Sequence, residues 1–514
     1  MTQNERRGLP LWKRIIFLIL TLIIFAIQIS LFTLLFQINF SNQLNIYIYL
    51  LIELGAFLIV LHIIHKSMLS SYKLTWSILI LALPLPFLLL YFLSSRSRKL
   101  PRRKQHKLNE AIELYTIDNK MITKLQEIDP IAAKTARIIH SNTNYPLYNN
   151  TKFTFLNDGE IKFVDFIEEL KKAQRYIFIE TFIIGEGFLL NELLQILRAK
   201  GEAGVEIKII YDDLGSKATI KSKTIKEITK IPNCKIVNYN PLGLNINPAF
   251  NYRDHRKITI IDGKIAYCGG DNLADEYIHK KERFGFWRDN CGKYEGMAVN
   301  SFIGMFIETW YMSTKEILQI DNYLANFEVE EQPSYIMPFG DGPSSKNACA
   351  YDVFRSLISS AGKTLYISTP YLVIDDAMIE SIVLACKSGV DVRILMPGIP
   401  DKKTAFYLAR FHYREILKAG GKIYEFTRGF NHAKNIIVDD KYAFIGTINM
   451  DYRSLFLHYE CGALILLDAE IKKMQEDFLN ACQESKQITY EYWRKRPWYQ
   501  RLVAYIIYLF APMF

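Results

Sequence analysis

The first hundred residues are written in long apolar runs and the remainder in short ones. Ile15 to Phe36, Leu44 to Ile64 and Leu74 to Leu93 are each about long enough to cross the roughly 30 Å hydrocarbon layer of a bilayer. Three such runs are hard to bury in one globule, so the pattern predicts membrane helices over 1–95. The first run is too long for a removable leader and ends without a small-residue cleavage site. Beyond residue 130 the apolar residues fall into strand-length runs separated by amphipathic stretches. "RYIFIETFII" at 175–184 and "GVEIKIIYD" at 204–212 flank a helical pattern around Leu189–Lys200. "TLYISTPYLV" at 364–373 and "GVDVRILMP" at 389–397 flank another around Ala377–Lys387. Repeated strand–helix–strand units predict two tandem α/β domains, each a mostly parallel sheet covered by helices. Their limits are placed at 130–330 and 331–514, after a basic linker at 96–129. The polar, Pro-broken stretch "EVEEQPSY" at 328–335 is the joint.

Charge changes the picture at the membrane. Arg6, Arg7, Lys13 and Arg14 precede the first run, and "RSRKLPRRKQHK" follows the third. Cationic flanks favour the cytoplasmic side, and three full crossings cannot put both groups there. Either one run is not a full span or the N-terminus lies outside. Glu53 makes the second run suspect, because a carboxyl at mid-bilayer depth is expensive unless paired. Pro84 and Pro86 would kink the third run or mark a re-entrant bend. The expected location is the cell membrane, multi-pass, with the catalytic domains on the cytoplasmic side. The formal charge of +10 fits an anionic partner, and the basic linker fits lipid headgroups. Seven scattered cysteines without a CxxC pair argue against a disulfide framework.

Candidate chemistry lies in one phrase written twice. "HRKITIIDGKIAYCGGDN" occupies 255–272, and "HAKNIIVDDKYAFIGTIN" occupies 432–449. Each copy sets a His, a Lys two residues on, an Asp closing an apolar strand, a Gly turn and an Asn in the same register. Side chains alternate along a strand, so His255 and Lys257, like His432 and Lys434, would share a face. The "DG" at 262–263 and "DD" at 439–440 predict tight turns that return Asn272 and Asn449 beside the histidines. A neutral imidazole can attack phosphorus, and an imidazolium can protonate a departing alkoxide. One of each supports displacement through a phosphohistidine. Lys257, Lys434, Asn272 and Asn449 would hold the phosphoryl oxygens, with backbone N–H groups at the Gly270 and Thr447 turns. Asp262 and Asp439 serve as turn residues or orient the site. No metal or cofactor is called for, because the lysines supply positive charge.

These residues resemble the HKD motif, H-x-K-x(4)-D followed by G-[GST]-x-N, which marks the phospholipase D superfamily. "NYRDHRKITIIDGKIAYCGGDNLADEYI" at 251–278, "FGFWRD" at 284–289 and "GTINMDYRSLFLHYECG" at 446–462 look like bacterial cardiolipin synthase. That resemblance implies two tandem phospholipase D-like domains with one shared active site. It implies transfer of a phosphatidyl group from one phosphatidylglycerol to another, releasing glycerol. It also implies a downstream carboxylate orienting each reactive His, for which Asp289 and Glu460 are the candidates. The expected partners are phosphatidylglycerol and an anionic membrane surface. Hydrolysis to phosphatidic acid would use the same motifs with water as acceptor, and a non-catalytic membrane scaffold is the reading from another class. Nucleic acid is not expected, since the soluble part lacks a basic groove studded with aromatics. The C-terminal "WRKRPWYQRLVAYIIYLFAPMF" at 493–514 predicts either an interfacial helix or one packed on the second domain.

Overall fold

Pro84 decides how the third apolar run folds. One helix covers Ser70–Ala82 and another begins at Pro84 and ends at Ser94, because proline cannot supply the N–H that would continue the first. The structure, a computed structural model, describes residues 43–66, 69–94, 120–241, 251–327, 331–345 and 347–513, with Ala26 and Ser30. Apart from those two residues, the first run lies outside the described residues, as do residues 96–119 of the basic linker. We label Gln43–His65 α1, Ser70–Ala82 α2 and Pro84–Ser94 α3. Among the described residues only α1 is long and apolar enough to cross a membrane, over the 19 residues Tyr47–His65. The expected multiple spans thus reduce to one candidate here, because Pro84 divides the third run into two short helices. Glu53 of α1 is paired, accepting a hydrogen bond from Tyr49. Ala56, Val60 and Ile63 of α1 pack on Trp76 and Ile80 of α2 and Tyr91 of α3. The Leu509 carbonyl accepts from Thr75 Oγ1 of α2 at 2.7 Å.

Of the described residues, those within 120–241 and 253–507 form a second compact unit. Its first half contains β1 Thr151–Leu156, β2 Tyr176–Thr181, β3 Glu206–Asp212, β4 Cys234–Tyr239, β5 Ile258–Ile261, β6 Ile265–Gly269, β7 Phe286–Arg288 and β8 Cys291–Gly296. Its second half contains β9 Tyr335–Asp341, β10 Thr364–Ser368, β11 Leu372–Val373, β12 Asp391–Pro397, β13 Lys422–Phe426 and β14 Gly429–Asn431. There follow β15 Asn435–Val438, β16 Tyr442–Gly446, β17 Met450–Asp451, β18 Glu460–Leu466 and β19 Ser485–Ile488. The main sheets run β1-β8-β6-β5-β2-β3-β4 and β19-β13-β12-β10-β15-β16-β18-β9. Read from β1 and from β9, the two orders repeat, with β19 added at the far edge of the second sheet, as the duplicated phrase implies.

The sheets are mixed rather than mostly parallel. Within the two main sheets only the trios β2, β3, β4 and β10, β12, β13 run parallel, and their other neighbours are antiparallel. The cause is the turn chemistry: Asp262 (φ 55°) and Gly263 (φ 72°), with Lys264, join β5 directly to β6, and such short connections make antiparallel neighbours. Asp439 (φ 52°) and Asp440 (φ 57°) do the same between β15 and β16. Helices cover the sheets: α4 Gly159–Lys172, α5 Phe188–Glu202, α6 Val299–Thr314, α7 Cys349–Ser360, α8 Asp376–Lys387, α9 Lys403–Lys418, α10 Glu470–Gln483, α11 Tyr490–Arg494 and α12 Trp498–Tyr508. The fully buried Phe302, Phe306 and Trp310 show that α6 is a core helix, and it touches both β5 and β9. Where β6 meets β18, the Sγ atoms of Cys268 and Cys461 stand 3.5 Å apart; all seven cysteines are free thiols.

The turn aspartates act on backbone. Asp262 accepts the N–H groups of Gln174, Arg175 and Tyr176 at 2.8, 2.7 and 2.9 Å. Asp439 accepts those of Gly362, Lys363 and Thr364 at 2.6, 2.7 and 2.7 Å. Each clamps the entry of the central parallel strand, and β5 or β15 separates it from its histidine. Neither touches the histidine: of the two roles the sequence offered, turn residue or orienting group, both take the first. Losing three partly buried acceptor bonds at about 1 kcal/mol each should cost Asp262→Ala about 2 to 4 kcal/mol. Asp439 is less buried and should cost less. Thermal unfolding of the two purified variants checks the order, and an Asp262→Ala midpoint equal to wild type would refute the clamp.

Candidate active site

The two histidines are finished by the opposite half of the chain. β7 pairs parallel to β14, matching Arg288 with Asn431, and Asp254 bridges parallel to Tyr459. That register lets the His432 N–H donate to the Arg288 carbonyl at 2.7 Å, and the His255 N–H to the Tyr459 carbonyl at 2.8 Å. The residues that follow those carbonyls are Asp289 and Glu460. His432 Nδ1 lies 2.6 Å from Asp289 Oδ2, and His255 Nδ1 lies 2.9 Å from Glu460 Oε2. Both carboxylates are fully buried. The order of residues along each half, with Asp289 after His255 and Glu460 after His432, therefore misleads: the pairs are crossed. Each carboxylate accepts from Nδ1–H, which leaves the Nε2 lone pair for chemistry.

The lysines do not stand on strands beside their histidines, because β5 and β15 begin only after them. They turn back instead. Lys257 Nζ donates to the His255 carbonyl at 2.6 Å, and Lys434 Nζ donates to the His432 carbonyl. Both ammonium groups are buried. Burial, first, and then the charges of Lys257 and Lys434 hold both imidazoles well below their ordinary value, so they rest neutral near pH 7. Exposed Lys402, at the head of α9, adds to this on both. Burial also brings Lys434 down to about 7 and lowers Lys257. Burial raises Asp289, against the pull of Lys434. The site is a buried cluster of closely opposed charges, where each pair is worth more than in water.

The loops after the turns do something other than expected. The Gly270 N–H donates to the Asn290 carbonyl at 3.1 Å, and the Thr447 N–H to the Cys461 carbonyl at 2.9 Å. Neither N–H is left for phosphate. These residues place the carboxylates: a Cβ on Gly270 would lie 2.1 Å from Asp289 Oδ1, and Thr447 Oγ1 donates to Glu460 Oε2. Asn272 is anchored, accepting from the Ile183 N–H at 3.0 Å and donating one amide hydrogen to the Tyr277 hydroxyl. Asn449 is buried and its Oδ1 has no protein partner.

Several neighbours of the histidines were assigned no role from the sequence, although all but Phe430 stand in the strings quoted above. The ring of Phe182 lies 4.9 Å from that of His255; Tyr277, Trp287 and Phe430 lie 5.6, 5.4 and 5.7 Å from that of His432. His458 has its ring 5.7 Å from His255 and its Nδ1 3.8 Å from Glu460 Oε1. Its position two residues before Glu460 was the available signal. Burial takes His458 down to about 3, so it is neutral, and Arg453 Nε donates to its Nε2 at 3.2 Å. His255, His458 and Glu460 hold ligand atoms within 4.8 Å of one another, a spacing a metal ion could use. Lys257, whose charge bears on His255, and Arg453, bonded to His458, oppose an added dication there. The donor set suits an anion better.

Comparison with known proteins identifies the family. The family described as "Cardiolipin synthase, PLD-like domain" matches residues 166–283 and 354–482, once in each half. A cardiolipin synthase of Geobacillus sp. (strain WCH70) is 32% identical over 499 residues, covering 96% of this chain and 99% of its own. Cardiolipin synthase 2 of Bacillus anthracis is 36% identical over 365 residues, 71% of each chain. The crystal structure of phosphatidylserine synthase from Haemophilus influenzae Rd KW20 superposes with a TM-score of 0.56 at 17% identity. It covers 74% of this chain and 98% of that one, a likeness of fold. With two tandem phospholipase D-like domains and relatives of this extent, the chain belongs to the cardiolipin synthase family, the phosphatidyltransferases of the phospholipase D superfamily.

Proposed function

We propose that this chain makes cardiolipin, moving the phosphatidyl group of one phosphatidylglycerol to the terminal hydroxyl of another in a single site built by both halves. The observation that carries this reading is the crossed pairing of His255 with Glu460 and His432 with Asp289. Neither half can orient its own histidine, so the unit of chemistry is the pair. One Nε2 attacks phosphorus; the other imidazole, which takes up a proton from solvent as the anionic phosphodiester enters, delivers that proton to the glycerol oxygen as the P–O bond breaks. The N–P intermediate is then attacked by the hydroxyl of the second lipid, whose proton passes to the same imidazole as the N–P bond breaks. Lys257, Lys434, Asn449 and the remaining amide hydrogen of Asn272 hold the non-bridging oxygens while charge builds. Asp289 and Glu460 steady the imidazolium at each stage. Phe182, Tyr277, Trp287 and Phe430 keep water from the intermediate, which favours a lipid alcohol as acceptor.

The same reading keeps the domain limits 130–330 and 331–514. It places the enzyme in the cell membrane, multi-pass, with its catalytic domains on the cytoplasmic side. α1 and the basic linker support that placement.

The purified protein, incubated with phosphatidylglycerol in mixed micelles, should give cardiolipin and free glycerol by mass spectrometry. His255→Ala and His432→Ala should each abolish both products. Phosphatidic acid as the sole product would make the enzyme a hydrolase. Asp289→Asn and Glu460→Gln, which leave the shape but not the charge, should lower kcat by about 10² to 10⁴.

The pH dependence of kcat/KM should be bell-shaped. Its acid limb reports an imidazole that must be neutral, so it should lie below the ordinary histidine value, rate rising as pH rises through it. Its alkaline limb reports Lys434, which is held down to about 7 and must be charged to hold phosphate. Lys434→Arg should carry that limb upward, and an active variant with the limb unmoved would take Lys434 out of the chemistry.

A further inference from the structure

Helix α12 turns its large apolar residues outward. Trp498 is 69% exposed, Tyr505 56% and Ile506 57%, with Tyr499, Leu502 and Val503 beside them, while Ala504 on the inner face is 2% exposed. Residues 498, 502, 505 and 506 recur at helical spacing, so this is a continuous face. Arg494 and Lys495, both exposed, lead into it. After α12 the chain runs on to Leu509, whose carbonyl is bonded to the apolar helix α2. An apolar face with basic flanks is the pattern of a helix lying in a lipid interface.

Behind the helix is a cavity of about 140 Å³, bounded by α8, α9, α11 and α12. Phe411, Trp493 and Tyr505 give it aromatic walls, and Arg414, Arg496 and Arg501 line it with guanidinium groups. The rings of Phe411 and Tyr505 meet edge to face at 5.3 Å. Arg414 leans on Glu415 at 3.5 Å, and Asp376 is the other acid on the wall. Arg496 and Arg501 have no carboxylate partner among the described residues. The Arg496 guanidinium lies 4.6 Å over the Trp493 ring, and its Nε donates to the Trp493 carbonyl at 3.0 Å. Burial and the charges of Arg410 and Arg501 pull Arg496 down to about 10, the mark of a cation short of counter-charge. Planar guanidinium groups beside an aromatic wall suit a phosphate with an apolar body attached.

We infer that α12 lies in the lipid interface and that the cavity behind it takes the phosphate head of an anionic phospholipid, a second lipid site apart from the paired histidines. None of its lining residues belongs to the candidate active site. The bound lipid would hold the catalytic unit to the anionic surface that supplies its substrate.

The test uses full-length protein carrying His255→Ala and His432→Ala, so that its outcome does not depend on cardiolipin being the product. It is reconstituted in phosphatidylcholine nanodiscs holding a photoactivatable phosphatidylglycerol, and cross-linked peptides are mapped. Label is expected on the α11–α12 segment and on α9 around Phe411. It should be lost in Arg496→Gln/Arg501→Gln with an unchanged melting midpoint, and weakened in Trp498→Ala/Leu502→Ala. Equal labelling by a photoactivatable phosphatidylcholine would overturn the inference, because the headgroup charge would then not be read. Loss of label on adding inorganic phosphate would overturn it too, making the cavity a free-anion site. Should the arginine variant fail to fold, the comparison of the two lipid probes in the histidine variant still decides.

Discussion

Everything in the candidate site depends on one exchange: each half of the catalytic unit hands its buried carboxylate to the histidine of the other. A buried imidazole has no water to fix its tautomer, and a buried carboxylate without a partner would carry a heavy desolvation penalty. Pairing solves both problems at once. Because the pairs are crossed, they also fasten the halves together. The backbone bonds from His255 to Tyr459 and from His432 to Arg288 set the same register as the side-chain bonds. Folding the two halves against each other and assembling the site are thus one event.

That assembly is held under electrostatic tension. Two lysines lie buried beside two histidines, and burial and mutual repulsion lower all four. The imidazoles themselves are neutral, so the positive charge at the site is that of Lys257 and Lys434, set against the carboxylates of Asp289 and Glu460. On the proposed reading those lysines meet the negative charge of an incoming phosphodiester. The aromatic rings around His432 sharpen this by keeping the dielectric low. On the proposed reading, burial strengthens the hold of Lys257 and Lys434 on the transferring phosphoryl group.

The sequence made the duplication, the histidines and the helices of both repeats plain, because each is a local pattern. Helices expected around Leu189–Lys200 and Ala377–Lys387 are found at Phe188–Glu202 and Asp376–Lys387. Long-range pairing was not legible. Nothing in the spacing of Asp289 says that it serves a histidine 143 residues later, so proximity in sequence suggested the wrong partner. The same limit explains Gly270 and Thr447, whose N–H groups turn to neighbouring carbonyls visible only in three dimensions. The mixed sheets were missed for a different reason. The parallel βαβ signal and the "DG" turn signal were both present, and each governs only its own strands. In the apolar region hydropathy measured length, while Pro84 set where the helix stopped.

The duplication also shows where the halves have parted. In the second phrase the residue after the turn glycine is Thr447, whose hydroxyl donates to Glu460, with His458 close on the other side. In the first phrase that residue is Gly270, and the absent Cβ is what admits Asp289. One carboxylate is therefore held by a hydroxyl and flanked by a second imidazole. The other is held by the Asn290 N–H at 2.9 Å in a slot with no room for a side chain. Equal backbones thus present His255 and His432 with unequal partners. A two-step transfer asks for this, since one imidazole must form a bond to phosphorus while the other only passes a proton. The repeat supplies the geometry twice, and the side chains around the carboxylates break its symmetry.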